Sequence, residues 1–418
     1  MRRISTLLLF FIFTQNDQIT AQTTVDCNSS RFDTEVFSAV TTTSNIPYGS
    51  AQNSSGTITQ LLLNIYEPAG DTAAVRPLIV WAHGGSFVTG TRNDPDIVSL
   101  CQTFAKRGYV CASIEYRLGI PFPPSQTGAT QAVYRATQDM KAAVRFFRKD
   151  AATANAYRID PSTIFVGGSS AGGFMALHYA YLDNTSEIPS SIDTVALGNL
   201  EGNSGNPGYS SSINAVVNLC GALGDKNWLQ AGDEPLCSMH GTTDNTVPYA
   251  TSTIYLYGVY PIMVVDGSYS VNERADVVGV PNVMYTYFGA GHVPYLSSPS
   301  YMDTTVRFVS NFLYGQLGCS PSDPNPLPNT FLSTGISSVS GPGTLDLYPN
   351  PSTTSWNIRS VSPIRSVSIS DVSGRIVYDQ LSDGRTEINL PLEGFEKGAY
   401  LIRVSTAQGT LTRKALVH

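Results

Sequence analysis

At 418 residues the chain can build one large domain with a full core and a smaller unit beside it. Charged residues make up only 14%, a balance that suits an extracytoplasmic protein. The formal charge of −7, with no basic cluster, argues against a nucleic acid or an anionic membrane as partner.

Residues 1–21 open with Arg2-Arg3, continue through the apolar run Leu7 to Phe13 and reach Thr20-Ala21. This is the three-part pattern of a secretory signal peptide, with cleavage expected just after Ala21. Its apolar core is too short to span a bilayer, and no later stretch is long enough, so no transmembrane segment is expected. The six cysteines (Cys27, Cys101, Cys111, Cys220, Cys237 and Cys319) fit an exported compartment. The expected disulfide is Cys27–Cys319, tying the mature N-terminus to the last helix of the large domain. Buried free thiols are the open alternative for some or all of the six. Their spacing matches no zinc pattern, and neither a metal nor a cofactor is expected.

From about residue 32 to 318 strand-like and helix-like runs alternate. Strands are predicted at 34–40, 60–66, 78–82, 110–115, 163–166, 215–219, 235–239 and 283–288. Helices are predicted at 96–107, 130–151, 171–182, 271–278 and 301–314. Several of the strands are unbroken apolar runs, which predicts an α/β fold: a doubly wound, mostly parallel sheet covered on both faces. Functional loops then belong at the strand carboxyl ends.

In Gly167-Gly168-Ser169-Ser170-Ala171-Gly172-Gly173, one register puts glycine two before and two after a serine. Ser170 is therefore the apex of a sharp strand-to-helix turn, its hydroxyl exposed as a nucleophile. The helix N-terminus behind it favours developing negative charge, and the N–H of Ala171 is a donor for an oxyanion. Upstream, His83-Gly84-Gly85-Ser86-Phe87 follows a strand, and its glycines let backbone N–H groups turn toward the same cleft. A serine nucleophile needs a base held by a carboxylate. Among five histidines, His83 belongs to that turn, His178 lies inside a helix, His240 braces a strand end and His418 is the last residue. His292, in a loop of small residues, remains as the base. Asp244, in the loop one strand earlier, is the carboxylate, with Asp225, Asp233, Asp266 and Asp276 as rivals. Asp266 and Asp276 are expected on a solvated face. The tyrosine-rich insertion from Tyr249 to Pro281 (Tyr249, Tyr255, Tyr257, Tyr260 and Tyr269) is a candidate for one wall of a substrate pocket, with Phe87 and Trp228 as further candidates.

Together these residues resemble the α/β-hydrolase superfamily, over about residues 60–315. The order Ser170, Asp244, His292 is that superfamily's order. The chain looks most like the carboxylesterase and hormone-sensitive-lipase-like branch, which includes bacterial feruloyl and acetyl esterases. Tyr116-Arg117-Leu118 matches a tyrosine–arginine pair common there, whereas Ser86 stands where the branch's oxyanion motif has a third glycine. The resemblance implies that the N–H groups of Gly85, Ser86 and Ala171 hold the oxyanion. It also implies that the chain is a serine carboxylic-ester hydrolase passing through an acyl-enzyme. Acetyl, feruloyl, short acyl and polymer-borne esters all remain open as substrates. A peptidase of the same fold, or a catalytically silent surface adhesion or binding protein, is the alternative.

After the catalytic domain (22–319), residues 320–343 are rich in Pro, Ser and Gly and read as a linker. Residues 344–418 show alternating segments at 356–358, 365–369, 375–378, 387–390, 400–404 and 410–414, a small antiparallel β-sandwich. Leu347-Tyr348-Pro349-Asn350-Pro351, Asp371-Val372-Ser373-Gly374-Arg375, Gly398-Ala399-Tyr400 and Lys414-Ala415-Leu416-Val417-His418 resemble the C-terminal sorting domain of type IX secretion. That resemblance implies the type IX machinery as a partner. It implies export through the periplasm to the medium or the cell surface.

Overall fold

Unbroken apolar runs become the central strands because helices cover both of their faces. The computed structural model describes residues 25–321, 330–331, 345–350, 352–371, 376–406 and 409–417. The leader at 1–21, most of the 320–343 linker, Pro351, Val372 to Arg375 and His418 lie outside the described residues. The chain begins with β1 (Val40–Gln52), β2 (Ile58–Pro68), β3 (Arg76–Ala82), α1 (Pro95–Lys106) and β4 (Val110–Ile114). Next come α2 (Gln126–Ala152), β5 (Ile159–Ser169), α3 (Ala171–Tyr181), a short α4 (Thr194–Leu197), β6 (Ala215–Leu219), β7 (Ala222–Leu223) and β8 (Leu236–Gly241). The hairpin β9 (Ser252–Leu256) and β10 (Tyr260–Gly267) precedes α5 (Ser268–Val278), β11 (Asn282–Tyr287), α6 (Pro299–Gln316) and β12 (Thr330–Phe331).

The main sheet runs β1-β2-β4-β3-β5-β6-β8-β11-β12. From β4 to β11 every neighbouring pair is parallel, and the flanking strands are antiparallel. The carboxyl ends of β3, β5, β8 and β11 therefore open on one edge. The chain steps from β3 out to β4 and returns across β3 to β5, so strand order reverses there and leaves a crevice for a ligand. In β3, Leu78, Val80 and Ala82 share one core with Met140 and Val144 of α2 and with Met175 and Leu177 of α3. Ile79 and Trp81 point to the opposite core, with Leu100 and Phe104 of α1 and Leu313 of α6. All of α3 is buried, which accounts for its lack of a polar face.

Three sequence expectations change. The strand predicted at 34–40 begins only at Val40, because the N–H groups of Val36 and Phe37 both bond the carbonyl of Lys106. They thus satisfy a free carbonyl at the end of α1 instead of a sheet partner. The true edge strand is the polar run that follows. The tyrosine-rich stretch after Tyr249 contains a hairpin, β9–β10, that local patterning left unassigned. Asp266, expected in solvent, is buried and accepts from Lys226 N–H and the Thr251 hydroxyl.

Cys27 and Cys319 form a disulfide with their Cα atoms 5.3 Å apart, while Cys101, Cys111, Cys220 and Cys237 are free and buried. The C-terminal part has two antiparallel sheets. One contains Leu345–Tyr348, Ser355–Ser360 and Glu387–Pro391, and the other Ile364–Asp371, Ile376–Leu381, Gly398–Thr406 and Gly409–Val417. Alternate residues (Trp356 and Ile358, Val367 and Ile369, Ile402 and Val404) share one core between them. Among the described residues no helix is long and apolar enough to cross a membrane.

Candidate active site

The turn from β5 into α3 puts Ser170 at φ 55° and ψ −113°, a backbone that a serine adopts only where its surroundings impose it. Its N–H donates to Leu219 O at 2.8 Å, tying the turn to β6. A Cβ at Gly168 would stand 2.3 Å from the Gly172 backbone, and one at Gly172 would stand 2.1 Å from Ala82 O. Both glycines are thus required by the closeness of α3 to β3 and β5. The neighbouring Ser169 points inward, its hydroxyl 2.7 Å from that of Tyr295.

His292, in the loop after β11, has Nε2 at 2.8 Å from Ser170 Oγ. Its Nδ1 lies 2.6 Å from Oδ2 of Asp244, in the loop after β8. An ionised carboxylate can only accept, so Nδ1 carries the proton and Nε2 is free to accept from the serine. The Asp244 side chain has no exposed surface. Its Oδ1 accepts from the N–H groups of Thr246 and Val247 at 2.8 and 2.9 Å. Its Oδ2 also faces His240 Nε2 at 3.2 Å, a ring held in place by Ser268 Oγ at 2.6 Å from Nδ1. Burial opposes the charge on Asp244. The hydrogen bonds and charge of His240 and His292 outweigh it and hold the carboxyl well below the usual range.

The rival carboxylates are engaged elsewhere. Asp225 accepts from Asn227 N–H, Asp233 from Gln230 N–H and Asp276 from the Asn282 side chain. Beside Asp244 and His292 lies the thiol of Cys220, a neighbour that nothing in its sequence context announced. These three are the only metal-ligating cluster among the described residues. The donor set suits an ion poorly: burial and then the Asp244 charge push the thiol up to about 12, and His292 already spends Nδ1 on Asp244.

After β3 the backbone turns through Gly85, Ser86 and Phe87 at φ 104°, 54° and 60°. A Cβ at Gly85 would stand 2.1 Å from Thr89 O, so this turn also demands glycine. The carbonyl of Gly85 accepts from Val88 and Thr89, both at 3.0 Å. Tyr116 supports the turn from behind, stacking on His83 at 4.3 Å and donating its hydroxyl to His83 O at 2.9 Å. Arg117 is buried in a salt bridge to Asp139 of α2 at 2.8 Å. Ala171 is the first residue of α3, so its N–H has no acceptor within the helix.

Ser86, Ser170 and Ala171 line one cavity of about 110 Å³, and Gly85 does not reach its surface. Phe87 and Trp228 are among its walls, whereas Tyr249 is not. Tyr249 turns instead onto Thr286 Oγ1 at 2.8 Å and packs on His240 and Tyr269. The insertion does form one wall of the cavity, through Tyr255 as expected and through Ile254 and Met263 of the hairpin. Phe174 and His178 of α3 line the rest with Val133 of α2.

Residues 63–224 match the BD-FAE family, and residues 346–418 match the secretion system C-terminal sorting domain. Carboxylesterase 3B of Mus musculus is 36% identical over 117 residues, 28% of this chain and 19% of that protein. Phenmedipham hydrolase of Pseudarthrobacter oxydans is 35% identical over 27% of this chain and 22% of its own. Neuroligin-like protein glit-1 of Caenorhabditis elegans is 32% identical over 27% of this chain and 14% of its own. The matched part thus spans about a fifth of the length of such relatives. Among solved structures, Thermogutta terrifontis esterase 2 phosphorylated by paraoxon aligns at 22% identity and a TM-score of 0.48, over 67% of this chain and 95% of its own. A truncated carbohydrate esterase from gut microbiota aligns at 22% and 0.48, over 68% and 98%.

Proposed function

We propose, from the premise that this chain belongs to the BD-FAE family through residues 63–224 and carries a type IX sorting domain at 346–418, that it is an exported serine ester hydrolase. The observation that carries the reading is the unbroken chain of hydrogen bonds from Asp244 through His292 to Ser170. In the proposed cycle His292 Nε2 takes the Ser170 proton as the oxygen attacks an ester carbonyl. The oxyanion forms within reach of the Ser86 and Ala171 N–H groups, which line the cavity, while Gly85, expected as a third donor, shapes the turn behind them. His292 then gives its proton to the departing alcohol, and water repeats the sequence on the acyl-enzyme. Asp244 stays ionised throughout and fixes the tautomer. The apolar walls of Phe87, Phe174, Trp228 and Met263 favour an apolar group in the cavity. They offer no charge to receive a peptide terminus, which speaks against a peptidase. An intact chain of hydrogen bonds likewise speaks against a silent adhesion scaffold.

Replacing Ser170 with Ala is expected to lower kcat for p-nitrophenyl butyrate by roughly 10⁶ and to abolish labelling by a fluorophosphonate, with the fold retained. Wild-type turnover or labelling in that variant would end the assignment.

A further inference from the structure

The carboxylate that holds His292 is itself held from a side that the proposed cycle does not use. Its Oδ1 bonds are local, because Thr246 and Val247 lie two and three residues on and move with the same loop. Its Oδ2 bond to His240 differs in kind: His240 belongs to β8 and pairs there with Thr286 of β11. Of the bonds to this carboxylate among the described residues, it alone reaches the main sheet.

Hydrogen bonding fixes the state of the His240 ring. Nε2 faces two atoms that only accept, Asp244 Oδ2 at 3.2 Å and Val247 O at 3.1 Å, so it carries a proton shared between them. The hydroxyl of Ser268, first residue of α5, lies 2.6 Å from Nδ1. Its other acceptor, Gly221 O, is further off at 3.2 Å, so the hydroxyl donates into the ring. Asn218 of β6 donates to Ser268 Oγ at 2.9 Å, and Gly221 N–H fixes the Asn218 oxygen at 2.9 Å. Asn218, Ser268 and His240 thus donate in one direction, and the run ends on Asp244 Oδ2. Ser170 and His292 donate in series to the same oxygen from the cavity side.

Two serine–imidazole pairs therefore converge on one oxygen, one of them at the cavity and the other wholly buried. Aligned bonds polarise one another in a dry interior, so the buried arm takes up part of the negative charge that steadies His292. Asp244 apart, the titratable groups round the two rings are uncharged. Tyr249, pushed up to about 12 chiefly by burial, stands edge-on to His240 at 5.8 Å, and the Cys220 thiol beside His292 is pushed up likewise.

We propose that His240 is a positioning residue for the reaction at Ser170: gripped by Ser268, it ties Asp244 Oδ2 to the sheet and limits how strongly that oxygen holds the His292 proton. The inference rests on the hydrolase reading, and the test separates the two.

The constants kcat and KM for p-nitrophenyl butyrate are measured from about pH 5 to 9 in wild type, His240→Leu, His240→Gln and Ser268→Ala. Active sites are counted by fluorophosphonate labelling carried to completion. In His240→Leu kcat per active site is expected to fall by about tenfold to a hundredfold, the range of one hydrogen bond to a charged group, with KM within about twofold. Asp244 then holds the His292 proton more strongly, so the acid limb of kcat/KM moves to higher pH by about one unit. His240→Gln still offers an N–H to Oδ2 and is expected to recover most of both losses. Ser268→Ala keeps the ring without its anchor and is expected to show both changes in smaller measure. An acid limb unmoved in His240→Leu, or in Ser268→Ala if the Leu variant does not accumulate folded, overturns the proposal. It does so even where fewer active sites remain, since a purely structural role gives no more than that. A Gln variant that behaves as the Leu variant overturns it as well. A wild type that neither cleaves the ester nor takes the label overturns the hydrolase reading itself.

Discussion

Replacing Asp244 with Asn changes one atom, and the structure dictates where the damage falls. The native carboxylate accepts four hydrogen bonds, from Thr246 and Val247 N–H on Oδ1 and from His240 and His292 on Oδ2. An amide accepts through only one of its two heavy atoms. With its NH₂ toward His292, the imidazole must accept at Nδ1, so its proton moves to Nε2 and points at Ser170. With its NH₂ turned the other way, it faces two backbone donors instead. The second orientation leaves two buried backbone donors unpaired, which costs about 1–3 kcal/mol, whereas in the first they keep the amide oxygen and His240 Nε2 keeps Val247 O as acceptor. The first removes the base, so kcat/KM for p-nitrophenyl butyrate is expected to fall by roughly 10⁴. The stability difference should depend on pH in a defined direction. Asp244 ionises below the usual carboxyl range, so its stabilisation is complete above the ordinary carboxyl pKa of about 4 and is lost as pH falls through the depressed native value. The melting-temperature gap between wild type and Asp244→Asn should therefore narrow on acidification below about pH 4. Kinetics at pH 7 and thermal melts from pH 3 to 8 measure both effects. A rate within about tenfold of wild type, in a folded variant, would refute the reasoning.

Removing the Cys27–Cys319 disulfide by a double Cys→Ser change opens a loop that closes across 292 residues. It is expected to cost about 3–5 kcal/mol, read as a lower denaturation midpoint in a chemical melt, with kcat retained because neither sulfur is near Ser170. Deleting residues 344–418 should leave active esterase in the periplasm and none in the medium. Normal export of the truncated chain would count against the sorting role of that unit.

The features read from sequence alone are those set by short-range sterics. Gly168-Ser169-Ser170-Ala171-Gly172 and His83-Gly84-Gly85 announced themselves because a sharp turn tolerates no Cβ at its flanks, whatever surrounds it. The runs at β3, β5 and β6 were equally plain, since strands covered on both faces must be apolar throughout. Asp244 and His292 were legible only by chain order and elimination among carboxylates and histidines. Tertiary structure decided the remainder. Parallel packing brings the ends of β5, β8 and β11 to one edge, where residues 170, 244 and 292 meet within hydrogen-bond distance. The same packing turned Tyr249 away onto Thr286, buried Asp266 and folded Ile254 and Met263 over the cavity. Which face of a hairpin meets a pocket depends on contacts distant in sequence, so local pattern carries no trace of it.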